Sequence, residues 1–416
     1  MTKHARNSAV GLKAPGARKS TPPEAAPAKT EGPGREIVLL AVTGMSPAVL
    51  TETVWSLAHP SDPRDQPIIP HRVIVLTTTA GRREIESILF SSCDRFAGAC
   101  PWDALRAALA ARGHDLTGRL RFGVTSDDLR VFTAADGGSG RSTELEDIRT
   151  PAENEAAANF ILDQVRGLVE DPDKTVIASL AGGRKTMGAL LYACFTLIGR
   201  DHDRLTHVLV NEPYDRVRDF FFPSQPGGPL AANLFSENAR VELADVPFVP
   251  LRRLFHRELG RPAGGFMRLV QACRAGVRDR LGQTIQLTVE SSRAEIVVNG
   301  SRLPLSPREH LLMLFLATRQ KEGGKGFAMQ KEALVSLNEF RDSLRGQARP
   351  GDGSDWRLND SLKRPLGDDQ DIRRALSSLR DKIESLGGDA AALAACLPER
   401  GRFSLDVPAP MIFIKP

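Results

Sequence analysis

The hydrophobic pattern has two grammars, separated near residue 284. In the first stretch, short apolar runs rich in β-branched residues alternate with helical periodicity. Ile37–Val42, Val73–Thr77, Thr175–Leu180 and His207–Val210 are near-continuous apolar runs, the pattern of parallel strands buried on both faces. Helices are predicted from Pro47 to Leu57, Gly81 to Phe90, Asn154 to Leu168 and Lys185 to Ile198. Pro47 suits a first helical turn. Residues 100–135 read as less regular, and His207–Val210 as the last strand. Strands alternating with helices predict an α/β fold, a Rossmann-like doubly wound parallel sheet.

From Thr284 the pattern changes. Ile285–Val289 alternates at period two, Glu295–Val298 reads as its partner, and Asn299-Gly300 is a turn signal. Helical stretches follow at Pro307–Thr318, Gln330–Glu339 and Asp371–Leu386, with Phe403–Leu405 as a final short strand. Leading strands, three helices and a terminal hairpin predict a winged helix-turn-helix. Gly351–Gly367 is polar and reads as a mobile loop. Between the two grammars lie a Pro/Gly-rich stretch, Pro223–Pro229, and an amphipathic, arginine-bearing helix over Phe266–Leu281. The expected organisation is a tail (1–35), an α/β domain (36–250), a helical connector (251–283) and a winged-helix domain (284–416).

Composition sharpens this picture in three places. Residues 1–35 are rich in Pro, Ala, Gly, Lys and Thr with almost no large apolar residue, so they are expected to be disordered. That tail carries seven Lys/Arg against two Glu, which accounts for the whole net charge of +5. The remaining body is neutral, so any anion site in it must be built locally. The five cysteines are scattered without a CxxC pair, and no histidines show HxxxH spacing. Neither a disulfide framework nor a metal site is expected, and the thiols fit a reducing cytoplasm. No apolar run reaches the roughly 20 residues of a membrane span, and no cofactor is expected.

Two loops carry candidate chemistry, each just past the carboxyl end of a predicted parallel strand, where open α/β sheets bind ligands. The first is Thr43-Gly44-Met45-Ser46-Pro47. Gly44 permits a sharp turn, and Ser46 offers a hydroxyl beside free amides at a helix start. Its plain alternative is a helix cap. The second runs Ser179-Leu180-Ala181-Gly182-Gly183-Arg184-Lys185-Thr186. Gly182 and Gly183 allow close approach of the backbone to a ligand, while Arg184 and Lys185 set two cations against the helix dipole. A bound phosphate would offset that cost, with Thr186 adding a hydroxyl. The plain alternative is a solvated turn. Neither a GxxxxGK[ST] nor a GxGxxG pattern is present. His207, opening an apolar strand, reads as a packed core or edge histidine. Glu144, Glu146 and Asp147 read as a solvated acidic run.

At these residues a family resemblance enters. Leu40–Pro47 with Thr51-Glu52-Thr53, Thr77-Thr78-Thr79, Ser179–Met187, Gly199–Val210 and Phe220–Pro223 together resemble the CRISPR-associated Rossmann-fold (CARF) proteins of type III systems, a family linked to ring nucleases. The resemblance covers about residues 36–225. It implies a homodimer that binds a cyclic oligoadenylate, cyclic tetra-adenylate first, and in some relatives cuts it without metal. It also implies roles. Lys185 would stabilise phosphorane charge and Ser46, with the Gly182 and Gly183 amides, would orient the phosphate. Thr43, Gly44, Met45, Thr78 and Thr186 would line the ligand. For Arg184 two readings stand, a second phosphate contact or a surface arginine.

Leu303–Glu309 with Leu311–Leu316 resembles the opening of response-regulator-type winged helices, with Ser306 and Glu309 as a capping box. Asp371–Ile383 resembles their recognition helix and leaves Arg373, Arg374, Arg380 and Lys382 for DNA phosphates or bases. Residues 286–416 hold 20 Lys/Arg against 18 Asp/Glu. Without a basic footprint, dimerisation or protein contact stands beside DNA binding. Three functions therefore compete: a ring nuclease, a ring-responsive transcription regulator, and a ring-activated ribonuclease effector. The last lacks its RxxxxH motif, because Arg252 lies only four residues before His256.

Overall fold

The structure is a computed structural model that describes residues 35–135, 142–217, 220–222, 238–255, 259, 265–348, 355–399 and 401–416. Residues 1–34 of the expected tail, the Pro223–Pro229 stretch, His256 and residues 351–354 lie outside the described residues. The backbone groups into two compact units. The first comprises Met1–Arg130, Leu168–Gly183 and Asp201–Pro247, and the second Val131–Gly167, Arg184–Arg200 and Phe248–Pro416.

In chain order the first stretch runs β1 (Glu36–Val42), α1 (Ala48–Ala58), β2 (Arg72–Thr77), α2 (Thr79–Leu89), α3 (Pro101–Ala111) and β3 (Leu129–Val131). A small hairpin of β4 (Thr133–Ala135) and β5 (Ser142–Glu144) follows. Then come α4 (Pro151–Val169), β6 (Lys174–Ser179), α5 (Lys185–Ile198), β7 (Arg204–Val210) and β8 (Val241–Asp245). The main sheet has the order β3-β2-β1-β6-β7-β8. β2, β1, β6 and β7 run parallel, and β8 joins β7 antiparallel. β7 is therefore not the last strand, as its pattern suggested. Its second half alternates because it faces outward at every other position, and His207 is exposed rather than packed.

The β1 run is buried on both faces, as its unbroken apolar pattern requires. On one face Leu39, Ala41, Val73, Val75 and Ile177 pack with Leu50, Val54 and Leu57 of α1, Ile85 and Leu89 of α2, and Trp102, Leu105 and Leu109 of α3. Each fully buried aliphatic side chain contributes on the order of 1.5–3 kcal/mol. α3 was missed in the sequence because Pro101 and five alanines obscure its apolar stripe. Phe221 and Phe222 close this core, and the Phe222 amide donates to Thr51 Oγ1 at 3.1 Å.

In the second unit, α6 (Gly265–Gln283) precedes β9 (Leu287–Glu290), β10 (Glu295–Val298) and β11 (Ser301–Pro304). Then come α7 (Pro307–Lys321), α8 (Gln330–Gln347), α9 (Asp369–Glu384) and β12 (Ile412–Lys415). The sheet order is β11-β10-β9-β12. Asn299 and Gly300 both take positive φ (48° and 85°), as a two-residue hairpin turn demands. Phe403, expected to start a strand, makes only an isolated bridge with Phe327. The last strand is instead β12, which pairs parallel with β9, so its partner is over 120 residues away. The polar stretch expected to be mobile is packed from Asp355 onward. There Trp356, Leu362 and Leu366 are buried, and the Trp356 indole donates to the Ser291 carbonyl at 3.0 Å. Long-range contacts of a few apolar residues fixed what local composition suggested was loose.

Candidate functional site

The carboxyl ends of β1, β2 and β6 lie side by side, with Val42 opposite Leu76 and Ala41 opposite Ser179. Three loops leave from this edge, and glycines let them converge. A Cβ placed on Gly44 would lie 3.3 Å from the Gly183 Cα, and one on Gly81 would lie 3.3 Å from the Gly44 Cα. A Cβ on Gly182 would strike the Val42 carbonyl oxygen at 2.8 Å and Thr43 Oγ1 at 3.0 Å. Gly183 takes φ of 69°, which disfavours any side chain. Backbones are thus pressed together where side chains would otherwise stand. Gly81, at the start of α2, belongs to this cluster and was not singled out in the sequence. Its signal would have been the Thr-Thr-Thr-Ala-Gly run leaving a third strand end.

Around this glycine contact the predicted residues fall into two sets. Ser46 and Met45 are exposed, Met45 to 59%. α1 begins after Pro47 with no side-chain cap, so Ser46 does not act as the helix cap its position suggested. Thr43 and Thr78, by contrast, turn inward. Thr43 is fully buried, its Oγ1 donating to the Ser46 carbonyl at 3.5 Å and its carbonyl accepting from Thr77 Oγ1 at 2.8 Å. Thr78 caps α2 by accepting from the Gly81 amide at 3.2 Å. Both hydroxyls take part in holding the loops.

In the second unit Arg184, Lys185 and Thr186 open α5, and all three are exposed. Arg184 is engaged. Its Nε donates to Asp147 Oδ1 at 2.7 Å and its Nη2 to Asp147 Oδ2 at 2.5 Å. Arg149 Nε reaches the same carboxylate at 2.9 Å. These partners, Arg184 foremost, hold Asp147 well below the usual carboxylate range. Asp147 is therefore not a solvated member of an acidic run. Lys185 takes no such partner among the described residues, leaving its ammonium available at a helix start.

Beside the loops α1 carries Glu52, 7% exposed. Burial pushes its carboxyl up to about 7. Its neighbour Thr53 is also buried, with its Oγ1 3.4 Å from Ser179 Oγ at the end of β6.

On α9, the four basic residues assigned to DNA separate. Lys382 Nζ donates to the buried Glu309 carboxylate at 2.6 Å, and Ser378 Oγ donates to the same group at 2.6 Å. Lys382 is therefore paired with a buried carboxylate. Glu309 also accepts from the Ser306 amide, completing the capping box expected from the sequence. Arg380 donates to the Pro398 carbonyl. Among the described residues Arg373 and Arg374 donate only to the neutral amides of Gln330 and Gln370, and both are exposed.

These features define a mainly parallel α/β protein with a glycine-lined loop site at the carboxyl edge of its sheet. Residues 46–268, just over half of the chain, match the family model described as CRISPR-associated protein NE0113. The chain belongs to this CRISPR-associated family. Among solved structures it is similar to Enterococcus italicus Csm6 bound to cyclic hexa-2'-fluoro-hexa-dAMP, at 12% identity and a TM-score of 0.27 over 85% of this chain and 81% of that one. It is also similar to protein VC1899 from Vibrio cholerae, at 11% identity and a TM-score of 0.23 over 84% of this chain and 69% of that one. Such TM-scores fix neither ligand nor activity. No curated protein matches the chain. Among the described residues no helix is long and apolar enough to cross a membrane.

Proposed function

We propose that this chain is a type III CRISPR accessory protein of the CARF kind. In this reading a homodimer binds a cyclic oligoadenylate, cyclic tetra-adenylate first, and cleaves it without metal. The observation that carries the reading is the backbone contact of Gly44 with Gly183. It joins the loops after β1 and β6 at one sheet edge, where a ligand's phosphate would meet main-chain amides. Membership of a CRISPR-associated family and the motif set around these loops support it.

The chemistry asks little of the protein beyond positioning and charge. A ribose 2'-oxygen attacks the adjacent phosphorus, and the bond to the 5'-oxygen breaks. The products are a 2',3'-cyclic phosphate and a free 5'-hydroxyl. Lys185, two residues beyond Gly183 in the chain, supplies positive charge to the phosphorane. Ser46 and the Gly182 and Gly183 amides orient the phosphate, and Arg184 reaches it on leaving Asp147. With no histidine in either loop, turnover is slow.

The second unit's four-stranded sheet and helices α7 to α9 support a winged-helix reading. Exposed Arg373 and Arg374 favour a second function, in which the ring is sensed and DNA is bound. Incubation of purified protein with cyclic tetra-adenylate in chelator separates the two. Linear products that disappear in Lys185→Ala, with ring binding kept, establish the nuclease. An intact ring at excess protein, together with a ring-dependent gel shift, establishes the regulator instead.

A further inference from the structure

Far from the loop site, the ends of α1 and α3 bring two histidines together. His59 follows α1 directly, and His114 lies three residues past α3, 55 residues further along the chain. Their Nε2 atoms are 3.4 Å apart. Two nitrogens on one tetrahedral zinc, each at about 2.0–2.1 Å from the metal, stand about 3.3–3.4 Å apart. The pair therefore already has the spacing of one edge of such a site.

The His59 ring is held in place. His59 Nδ1 lies 3.0 Å from the Trp55 carbonyl, which can only accept, so Nδ1 carries the proton and Nε2 offers its lone pair. The His59 ring stacks on the Trp55 indole, with centroids 4.2 Å apart. The backbone of the opposite partner is set by its turn. Gly113 takes φ of 89°, and the His114 amide donates to the Leu109 carbonyl at 3.2 Å. The Arg112 guanidinium packs over Trp55 at 4.6 Å, completing a rigid aromatic mount.

We propose that His59 and His114 form a binding site for one divalent transition metal, zinc foremost, bridging the ends of α1 and α3. Among the described residues no third His, Cys, Asp or Glu joins them. Solvent completes the coordination, so the ion is exchangeable. On binding, any proton on His114 Nε2 is released or moves to Nδ1. Imidazole ligands select zinc and its neighbours over magnesium and calcium. The sequence hid this pair because 55 residues separate two ligands usually sought four apart.

The test uses the full chain stripped with chelator and dialysed. Zn2+ is titrated against a chromophoric competitor, and Co2+ is followed by its visible absorption. The wild type should bind one equivalent of Zn2+ that excess Mg2+ does not displace. His59→Gln and His114→Gln should each weaken that equivalent at least tenfold, while His207→Ala leaves it unchanged. Zn2+ should raise the melting temperature of the wild type and not of the double variant. Circular dichroism confirms that each variant is folded. If wild type and the His59→Gln/His114→Gln chain bind Zn2+ alike, the pair is only a hydrogen bond and the proposal fails.

Discussion

Asp147 grips Arg184 with both carboxylate oxygens, at 2.7 Å and 2.5 Å, at the residue immediately before α5. The arginine proposed to meet a phosphate is thus already paired with a carboxylate. A ligand phosphate must compete with Asp147 for it, since both accept the same planar donor pair.

Asp147→Asn removes the charge on this competitor while keeping its shape. Binding of cyclic tetra-adenylate should tighten about 3- to 10-fold, and Arg184→Ala should weaken it by a similar factor. In the double variant the gain should vanish. Isothermal titration at fixed ionic strength measures all three, and unchanged affinities would make Arg184 a surface arginine.

Gly182→Ala tests the glycine contact. Its methyl would meet the Val42 carbonyl oxygen at 2.8 Å, a backbone atom inside the sheet that cannot give way cheaply. A loss of about 1–3 kcal/mol is expected. A melting temperature lowered by several degrees, together with lost ring binding, would bear this out. Gly167→Ala on α4 is the control, because nothing lies within 4 Å of its added Cβ.

Glu52 makes stability depend on pH. Burial lifts its folded pKa to about 7, above the ordinary 4.5, so the folded state holds its proton more tightly than the unfolded chain. Its contribution is fully present below about pH 4.5 and is lost as pH rises through 7. The loss at pH 8 is on the order of 3 kcal/mol. Glu52→Gln should raise the melting temperature at pH 8, leave it nearly unchanged at pH 5, and flatten the profile between them.

Lys382→Ala should act on folding rather than on DNA. It leaves the Glu309 carboxylate, 3% exposed as a residue, without its cation. Denaturant melts should show a loss of about 1–3 kcal/mol. Any gel shift of the folded variant should remain, whereas Arg373→Ala with Arg374→Ala should abolish it.

The local grammar of the chain determined its elements where each carried its own signal. The buried runs of β1, β2 and β6 are mostly apolar because both of their faces are covered. The Ser306/Glu309 capping box is written within four residues, and Asn299-Gly300 selects its turn by φ alone. The two loops were legible for the same reason, as glycines and cations at strand ends. Tertiary structure decided what depends on residues far apart in the chain. It added β8 to β7, paired β12 with β9, packed Trp356 into the core, and brought Gly81 to Gly44. It also gave Arg184 to Asp147, Lys382 to Glu309, and His59 to His114. None of these pairings has a sequence period, because hydrogen bonds and ion pairs depend on distance in space, which only the folded chain sets.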